Sequence, residues 1–365
     1  YMSKIKTLIA IGGTGGHVLP GYNLAKDLIE TNYNVELVTD KRGHKYLNKV
    51  NDLKISIMPS SPFVNRNIFT IFTSLIIIIY SIIRSLIFLI LNRPKIIFGM
   101  GGYASFPICI AASILKIKVI IYENNLIIGK ANKYLLPFCD KIFVSRKELE
   151  GIPQKYKNKI IEVGNIIKKE IIESSTKKIE KDYSKKISIL VLGGSQAAKI
   201  FAEILPSIFL QCQNIGIPLK IYQHCLQNQN DDLKFYYKEN KIEFETFNFC
   251  ENLNDYFSKV NFAITRSGSS MLAELSNYNI PFVSVPLPSS ADNHQLKNAE
   301  YYKKKNFAFL IEEKDLNDKL LYLIKEIYED SSKLEKIIKN LSQYSDIKVY
   351  ENINQELEKI VDAKN

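Results

Sequence analysis

Metal-binding and disulfide patterns are missing from this sequence. Its five cysteines (Cys109, Cys139, Cys212, Cys225 and Cys250) are scattered, odd in number and never in CxxC spacing. That excludes a zinc ribbon and a disulfide framework, and fits a reduced cytosolic setting. There is no D-x-D motif to hold a metal-bound diphosphate, so no metal and no other cofactor is expected. No signal peptide is expected, because the N-terminal residues run almost at once into a strand pattern. Acidic residues are outnumbered: 38 Asp and Glu against 49 Lys and Arg, a net charge of +11. The surplus suits an anionic partner, whether phosphorylated substrate, anionic lipid or nucleic acid. A lysine-rich composition, with abundant Ile, Asn and Tyr, accounts for it equally well. Histidines number only four, so each is worth placing.

What is present points to a folded α/β protein. At 365 residues, 46% hydrophobic and 24% charged, the chain suits two globular domains. The first organising stretch is Gly12-Gly13-Thr14-Gly15-Gly16-His17-Val18-Leu19-Pro20. It follows an apolar strand (Thr7 to Ile11) and leads into a helix, with Pro20 expected in the first turn. A strand, a glycine turn and a helix N-terminus together make an anion site. Strands are then expected at 34–39, 55–58, 95–98, 118–122 and 141–144. A second glycine turn, Gly99 to Pro107, follows the fourth strand. Glu123-Asn124-Asn125 and Gly129 to Asn132 follow the fifth. The pattern restarts at 187–192 with Gly193-Gly194-Ser195-Gln196, and continues with strands at 219–223, 243–247, 262–265 and 281–285. The expected fold class is α/β: two Rossmann-like, doubly wound domains facing a cleft. The domains are read as 1–165 and 187–345, joined by a linker at 166–186. A C-terminal helix at 346–365 is expected to pack back on the first domain.

Long apolar runs are otherwise absent, which makes Ile68 to Leu91 stand out. It carries one charge, Arg84, in a stretch long enough to cross a bilayer. It lies between two strands of one expected sheet, where a crossover helix is required. Three readings stay open: a sheet-packed helix whose outer face touches a membrane, a wholly buried helix, and a true span.

The candidate chemistry sits at the turns. A helix N-terminus disfavours the imidazolium form, which suits His17 to a general-base role; binding a ligand or the turn is the plainer alternative. Ser269 and Ser270 are placed to cap a helix whose free N–H groups suit a diphosphate, with Glu274 one turn in, able to accept from a ribose. An N-cap followed by an ordinary helix glutamate is the plainer reading of that stretch.

Six motifs in register then resemble one family. They are GGTGGHVLPG (12–21), GMGGYASFP (99–107), ENN-x3-GKAN (123–132), GGSQAA (193–198), TRSGSSMLAEL (265–275) and DNHQLKNA (292–299). Together they resemble the MurG glycosyltransferases of bacterial cell-wall synthesis, over nearly the whole chain. The resemblance implies a GT-B fold and inverting transfer of N-acetylglucosamine from UDP-N-acetylglucosamine to the muramoyl 4-hydroxyl of undecaprenyl-diphosphate-linked lipid I, giving lipid II and UDP. It implies no required metal, no nucleic-acid partner, and peripheral attachment at the inner face of the cytoplasmic membrane, with the 68–91 helix in the attaching region. By position it implies Thr14, Gly15, Gly16 and Asn125 on the acceptor side and His17 as base or acceptor contact. Ser195 would meet the donor diphosphate, and Cys250 would offer backbone groups to uracil. Ser269, Ser270, Met271, Leu272, Ala273 and Glu274 would hold diphosphate and ribose, and Gln295 the sugar. The chain departs from the family's pattern at Tyr122, where the family has histidine; at Asn124, where it has a longer amide; and at Lys168, where it has arginine and the bidentate fork is lost. Ala197 adds a methyl beside a glycine turn. Three other readings compete. In a dinucleotide-dependent oxidoreductase Asp40 would bind ribose, but Val18 stands where its third glycine belongs. Another UDP-sugar enzyme of the same fold is the second, such as a 2-epimerase or a lipid glycosyltransferase. The third is a membrane scaffold.

Overall fold

The computed structural model describes residues 4–13, 15–48, 50, 52–60, 68–175, 186–193, 197–248, 250 and 253–362. The chain divides into two compact units, residues 1–168 with 347–365, and residues 169–346.

The first unit runs β1 (Ile5–Ala10), α1 (Gly15–Glu30), β2 (Tyr33–Thr39), α2 (Lys41–His44), β3 (Lys54–Ile57), α3 (Ile68–Asn92), β4 (Ile96–Gly99), α4 (Ser105–Ile114), β5 (Lys118–Glu123), α5 (Lys130–Leu135), β6 (Lys141–Val144) and β7 (Ile160–Glu162). Its seven strands form one parallel sheet in the order β3-β2-β1-β4-β5-β6-β7. The central strands are continuous apolar runs, as strands covered on both faces must be. Leu8, Ile97, Val119, Ile121 and Ile142 are fully buried with Ile108 and Ala112 of α4 against them.

The second unit runs α6 (Lys169–Ser175), β8 (Ile187–Leu192), α7 (Ala197–Asn214), β9 (Leu219–His224), α8 (Asn230–Glu239), β10 (Glu243–Phe247), α9 (Asn254–Phe257), β11 (Phe262–Thr265), α10 (Ser269–Asn277), β12 (Phe282–Ser284), α11 (His294–Lys304), β13 (Phe309–Leu310), α12 (Leu316–Glu329) and α13 (Ser332–Leu341). Its parallel sheet has the order β10-β9-β8-β11-β12-β13. The last helix, α14 (Val349–Asp362), belongs to the first unit. There Tyr350 donates to the Ile167 carbonyl, Asn352 to the Val163 carbonyl (3.1 Å) and Asn354 to Asp27 (2.9 Å).

Three sequence expectations change. Residues 166–175, expected as linker with a partly helical solvated face, also carry a buried one: Ile166, Ile167, Ile171 and Ile172 are buried while Glu170 and Glu173 are exposed. Of the expected linker, residues 176–185 lie outside the described residues. Pro20 is not in the first turn of its helix, because α1 already begins at Gly15. The 68–91 helix is not wholly buried. Among its described residues, Ile78, Ser81, Ser85 and Leu89 form its buried stripe, with α4 packed alongside. Phe72, Leu75, Ile76, Ile79, Tyr80, Ile83, Ile87 and Ile90 are exposed. The usual partition is partly inverted: two of the four buried positions are serines, while most of the isoleucines face out.

Candidate functional site

In each sheet the strand order reverses beside the first strand of its unit, between β1 and β4 and between β8 and β11. Ligands of open α/β sheets bind at the carboxyl ends of strands at such a switch point. The motifs read from the sequence gather at those two places.

In the first unit, three strand ends converge on the start of α1. After β1, Gly13 takes a left-handed φ of +83°. Gly12 admits no side chain, since a Cβ there would lie 2.2 Å from the Ala104 Cβ. The turn after β4 uses Gly101 and Gly102, at φ +89° and +77°. A Cβ on Gly102 would come 2.7 Å from the Gly12 carbonyl oxygen, and one on Gly101 would meet Cε1 and Nδ1 of His17, both at 2.9 Å. The half-exposed His17 ring therefore lies on the second glycine turn. The third strand end is Glu123, 2% exposed. One of its oxygens accepts from the Asn125 backbone (3.1 Å) and side chain (3.0 Å), the other from Gly129 N–H (3.0 Å) and Asn132 Nδ2 (2.9 Å). Glu123 thus shapes the whole loop that carries Asn125. Its neighbour Asn124 donates to the Gly16 carbonyl at 3.2 Å. That carbonyl is one a helix would normally give to residue 20, and Pro20 has no N–H to claim it. The proline frees an acceptor in the first helical turn, and the β5 loop takes it.

Asp40 does not do what the oxidoreductase reading requires. It caps α2 through Gly43 N–H (2.8 Å), reaches Gly13 N–H (3.4 Å), accepts from Ser60 (3.0 Å) and pairs with Arg42 (3.1 Å). Burial raises its pKa, but the Gly43, Ser60 and Arg42 contacts outweigh burial and hold the carboxyl below its ordinary range. Its oxygens are spent on the turn and not left for a ribose. Tyr122 is likewise occupied: its buried hydroxyl donates to the Gly164 carbonyl and accepts from Ile166 N–H, each at 3.1 Å. Lys168 is half-exposed at the end of this segment. Thr14 lies outside the described residues.

In the second unit, β11 leads through Arg266, Ser267 and Gly268 into α10. The helix is capped by neither serine: its N-cap is Gly268, which has no side chain to cap with. Ser269 and Ser270 are instead its first two residues, and Glu274 lies half-buried in its second turn. The approach to this helix end is fixed on all sides. Ser267 N–H donates to Gln295 Oε1 (3.1 Å), its carbonyl accepts from Asn298 (3.0 Å), and its hydroxyl meets that of Ser284 (2.6 Å). Gln295 Oε1 also accepts from Leu287 N–H (3.0 Å). Its amide nitrogen has no protein partner among the described residues. Arg266 is buried, donates to the Val285 and Pro286 carbonyls (3.3 Å each), pairs with Glu313 and lies 4.9 Å over the Phe201 ring. Leu272 and Ala273 are fully buried, so their side chains serve the core, while Met271 is half-buried. Cys250 is half-exposed after β10, near the stacked Phe247 and Tyr256 rings (4.4 Å). His224 is held below its ordinary pKa by burial, against the opposing Asn248 and Gly193 backbone contacts. Ser195 lies outside the described residues.

The sequence places Glu123 past a strand end where ligand loops start, and Arg266, Ser267 and Asn298 inside recognised motifs; it does not show what they bond, which is the turns around each site.

Models of glycosyltransferase family 28 match both halves: the N-terminal domain over residues 7–144 and the C-terminal domain over 188–351. The chain is 34% identical over 361 residues to a UDP-N-acetylglucosamine–N-acetylmuramyl-(pentapeptide) pyrophosphoryl-undecaprenol N-acetylglucosamine transferase of Pelagibacter ubique (strain HTCC1062), covering 98% of each chain. It is 32% identical to the protein of that name from Rickettsia felis, covering 90% of this chain and 93% of the relative. Among solved structures it resembles Acinetobacter baumannii MurG, with a TM-score of 0.78 and 21% identity over 97% of this chain and 99% of that one.

Proposed function

This chain belongs to glycosyltransferase family 28, among its UDP-N-acetylglucosamine–N-acetylmuramyl-(pentapeptide) pyrophosphoryl-undecaprenol N-acetylglucosamine transferases, and from that premise we infer which unit serves which substrate. The enzyme transfers N-acetylglucosamine from UDP-N-acetylglucosamine to lipid I, giving lipid II and UDP in peptidoglycan synthesis. The second unit takes the donor. The observation that carries this is the start of α10: a helix N-terminus whose N-cap is glycine, at a switch point, behind a rigidly bonded Ser267. Its dipole and N–H groups of residues 269–271 suit the diphosphate, and charge growing on departing UDP would be met there. Glu274 accepts from the ribose hydroxyls, the Cys250 backbone reads uracil, and the Gln295 amide nitrogen donates to the sugar. Ser195 is proposed at the diphosphate, and Lys168, the last residue of the first unit's main segment, as a weaker stand-in for an arginine.

The first unit takes the acceptor. Thr14, Gly15, Gly16 and Asn125 surround the muramoyl sugar and its diphosphate. The 4-hydroxyl oxygen attacks C1 of N-acetylglucosamine, and the C1–O bond to UDP breaks with inversion. The bonding pair leaves on the β-phosphate oxygen, and His17 takes the hydroxyl proton. With a lipid I analogue, wild type should release UDP and form the disaccharide; free N-acetylmannosamine instead would indicate the epimerase reading. His17→Ala should lower kcat by about a hundredfold or more. A normal rate in that variant would remove His17 as the base.

The exposed isoleucine face of α3 supports attachment to the cytoplasmic face of the membrane. Changing Ile76, Ile79 and Ile83 to Ser should release the protein in vesicle flotation while leaving it folded. Unchanged flotation would sink the assignment.

A further inference from the structure

The second unit carries a groove lined by none of the residues proposed for either substrate. It has a volume of about 520 Å³ and runs between β13, the end of α11, and helices α12 and α13. Its floor is apolar: Ala308, Ile311, Leu323 and Ile337, with Tyr322 exposed at the side. Four lysines rim it, Lys303, Lys319, Lys333 and Lys336, against a single acid, Glu326. Lys319 is paired with Asp315 and Lys333 with Glu326. Lys303 and Lys336 have no acidic partner among the described residues.

The groove also borders an open sheet edge. β13 is the last strand of its sheet. Ile311 N–H donates to the Ser284 carbonyl, and Leu310 stands opposite Ser284. In a parallel ladder that register turns the Phe309 carbonyl and Ile311 amide toward β12, and turns the N–H and C=O of Leu310 outward. One open donor and acceptor pair, an apolar floor and two unpaired cations thus share one groove.

We propose that this groove binds an extended acidic segment of a partner protein, added as a short strand beside β13. Main-chain bonds to Leu310 would align it, apolar side chains at alternate positions would fill the floor, and the intervening carboxylates would meet Lys303 and Lys336. A cavity of this size takes a few residues, and the excess of lysine over acid selects an anionic strand.

The test uses the full chain and a fluorescein-labelled peptide of about ten residues alternating Glu and Leu, read by anisotropy. Wild type should bind it, and the Lys-Leu counterpart should not bind. Lys303→Glu with Lys336→Glu should weaken binding about tenfold or more, with transfer of N-acetylglucosamine unchanged. Lys155→Glu with Lys157→Glu, the same charge change placed in the first unit, should leave binding as it is. Leu310→Pro, which deletes the outward N–H and spares the β12 ladder, should also weaken it. The proposal is overturned if wild type does not bind, or if the control pair weakens binding as much as the groove pair. It is also overturned if the groove pair loses only attachment to phosphatidylglycerol vesicles.

Discussion

Gly12→Ala should cut turnover by roughly a hundredfold, the scale of a 1 Å error in placing reacting groups. The added methyl would overlap the Ala104 Cβ, 2.2 Å away. The loop cannot retreat. A Cβ on Gly102 would stand only 2.7 Å from the Gly12 carbonyl, so those two turns are already pressed together, and Asp40 holds Gly13 and Gly43 on the other flank. The first two glycine turns must separate, and His17 rests on one while its helix starts from the other. Overpacking of this kind costs about 1–3 kcal/mol of stability, readable in denaturant unfolding. Ala104→Gly in the same chain should recover most of both losses, because it removes the group that Gly12→Ala strikes. Wild-type turnover in the single variant would mean the two turns are not coupled to catalysis.

Glu123→Ala should have the second large effect. It leaves the N–H groups of Asn125 and Gly129 without their acceptor and takes one of two acceptors from the Asn125 and Asn132 amides, which keep Asn124 Oδ1 and the Tyr122 carbonyl. A buried polar group stranded in this way costs about 1–3 kcal/mol, so a loss of roughly 3 kcal/mol is expected. The kinetic signature is specific: kcat/KM for the acceptor should collapse while KM for UDP-N-acetylglucosamine holds, since the donor groups are proposed in the other unit. Glu123→Gln, which keeps one carbonyl oxygen, should fall between. A rise in donor KM equal to the loss on the acceptor side would refute that division.

The main strands were legible because strands buried on both faces are apolar runs: Lys141–Val144, Ile187–Leu192 and Phe262–Thr265 stand where the pattern puts them. The two strands missed, Ile160–Glu162 and Phe309–Leu310, are short sheet edges with lysines or asparagines around them, where little apolar signal is needed. The glycine turns were legible as turns. What each glycine avoids was not, since Ala104 and His17 approach from distant sequence. Asp40 shows the limit most clearly. At the end of β2 it imitates a ribose ligand, and only its contacts show it committed to the neighbouring turn. Pro20 reads locally as a helix start. Its effect on the Gly16 carbonyl emerges only when Asn124 arrives from β5.

The return of α14 to the first unit makes the second unit an insertion within it. Translation therefore finishes residues 169–346 before the first unit has all its parts. Asp27 waits for Asn354, and the Ile167 carbonyl for Tyr350. The second unit can fold on the ribosome ahead of the first. An interrupted chain would then hold a finished second unit and an open first unit. A nascent chain stopped before residue 347 should accordingly resist protease in 186–346 and yield first in 1–168.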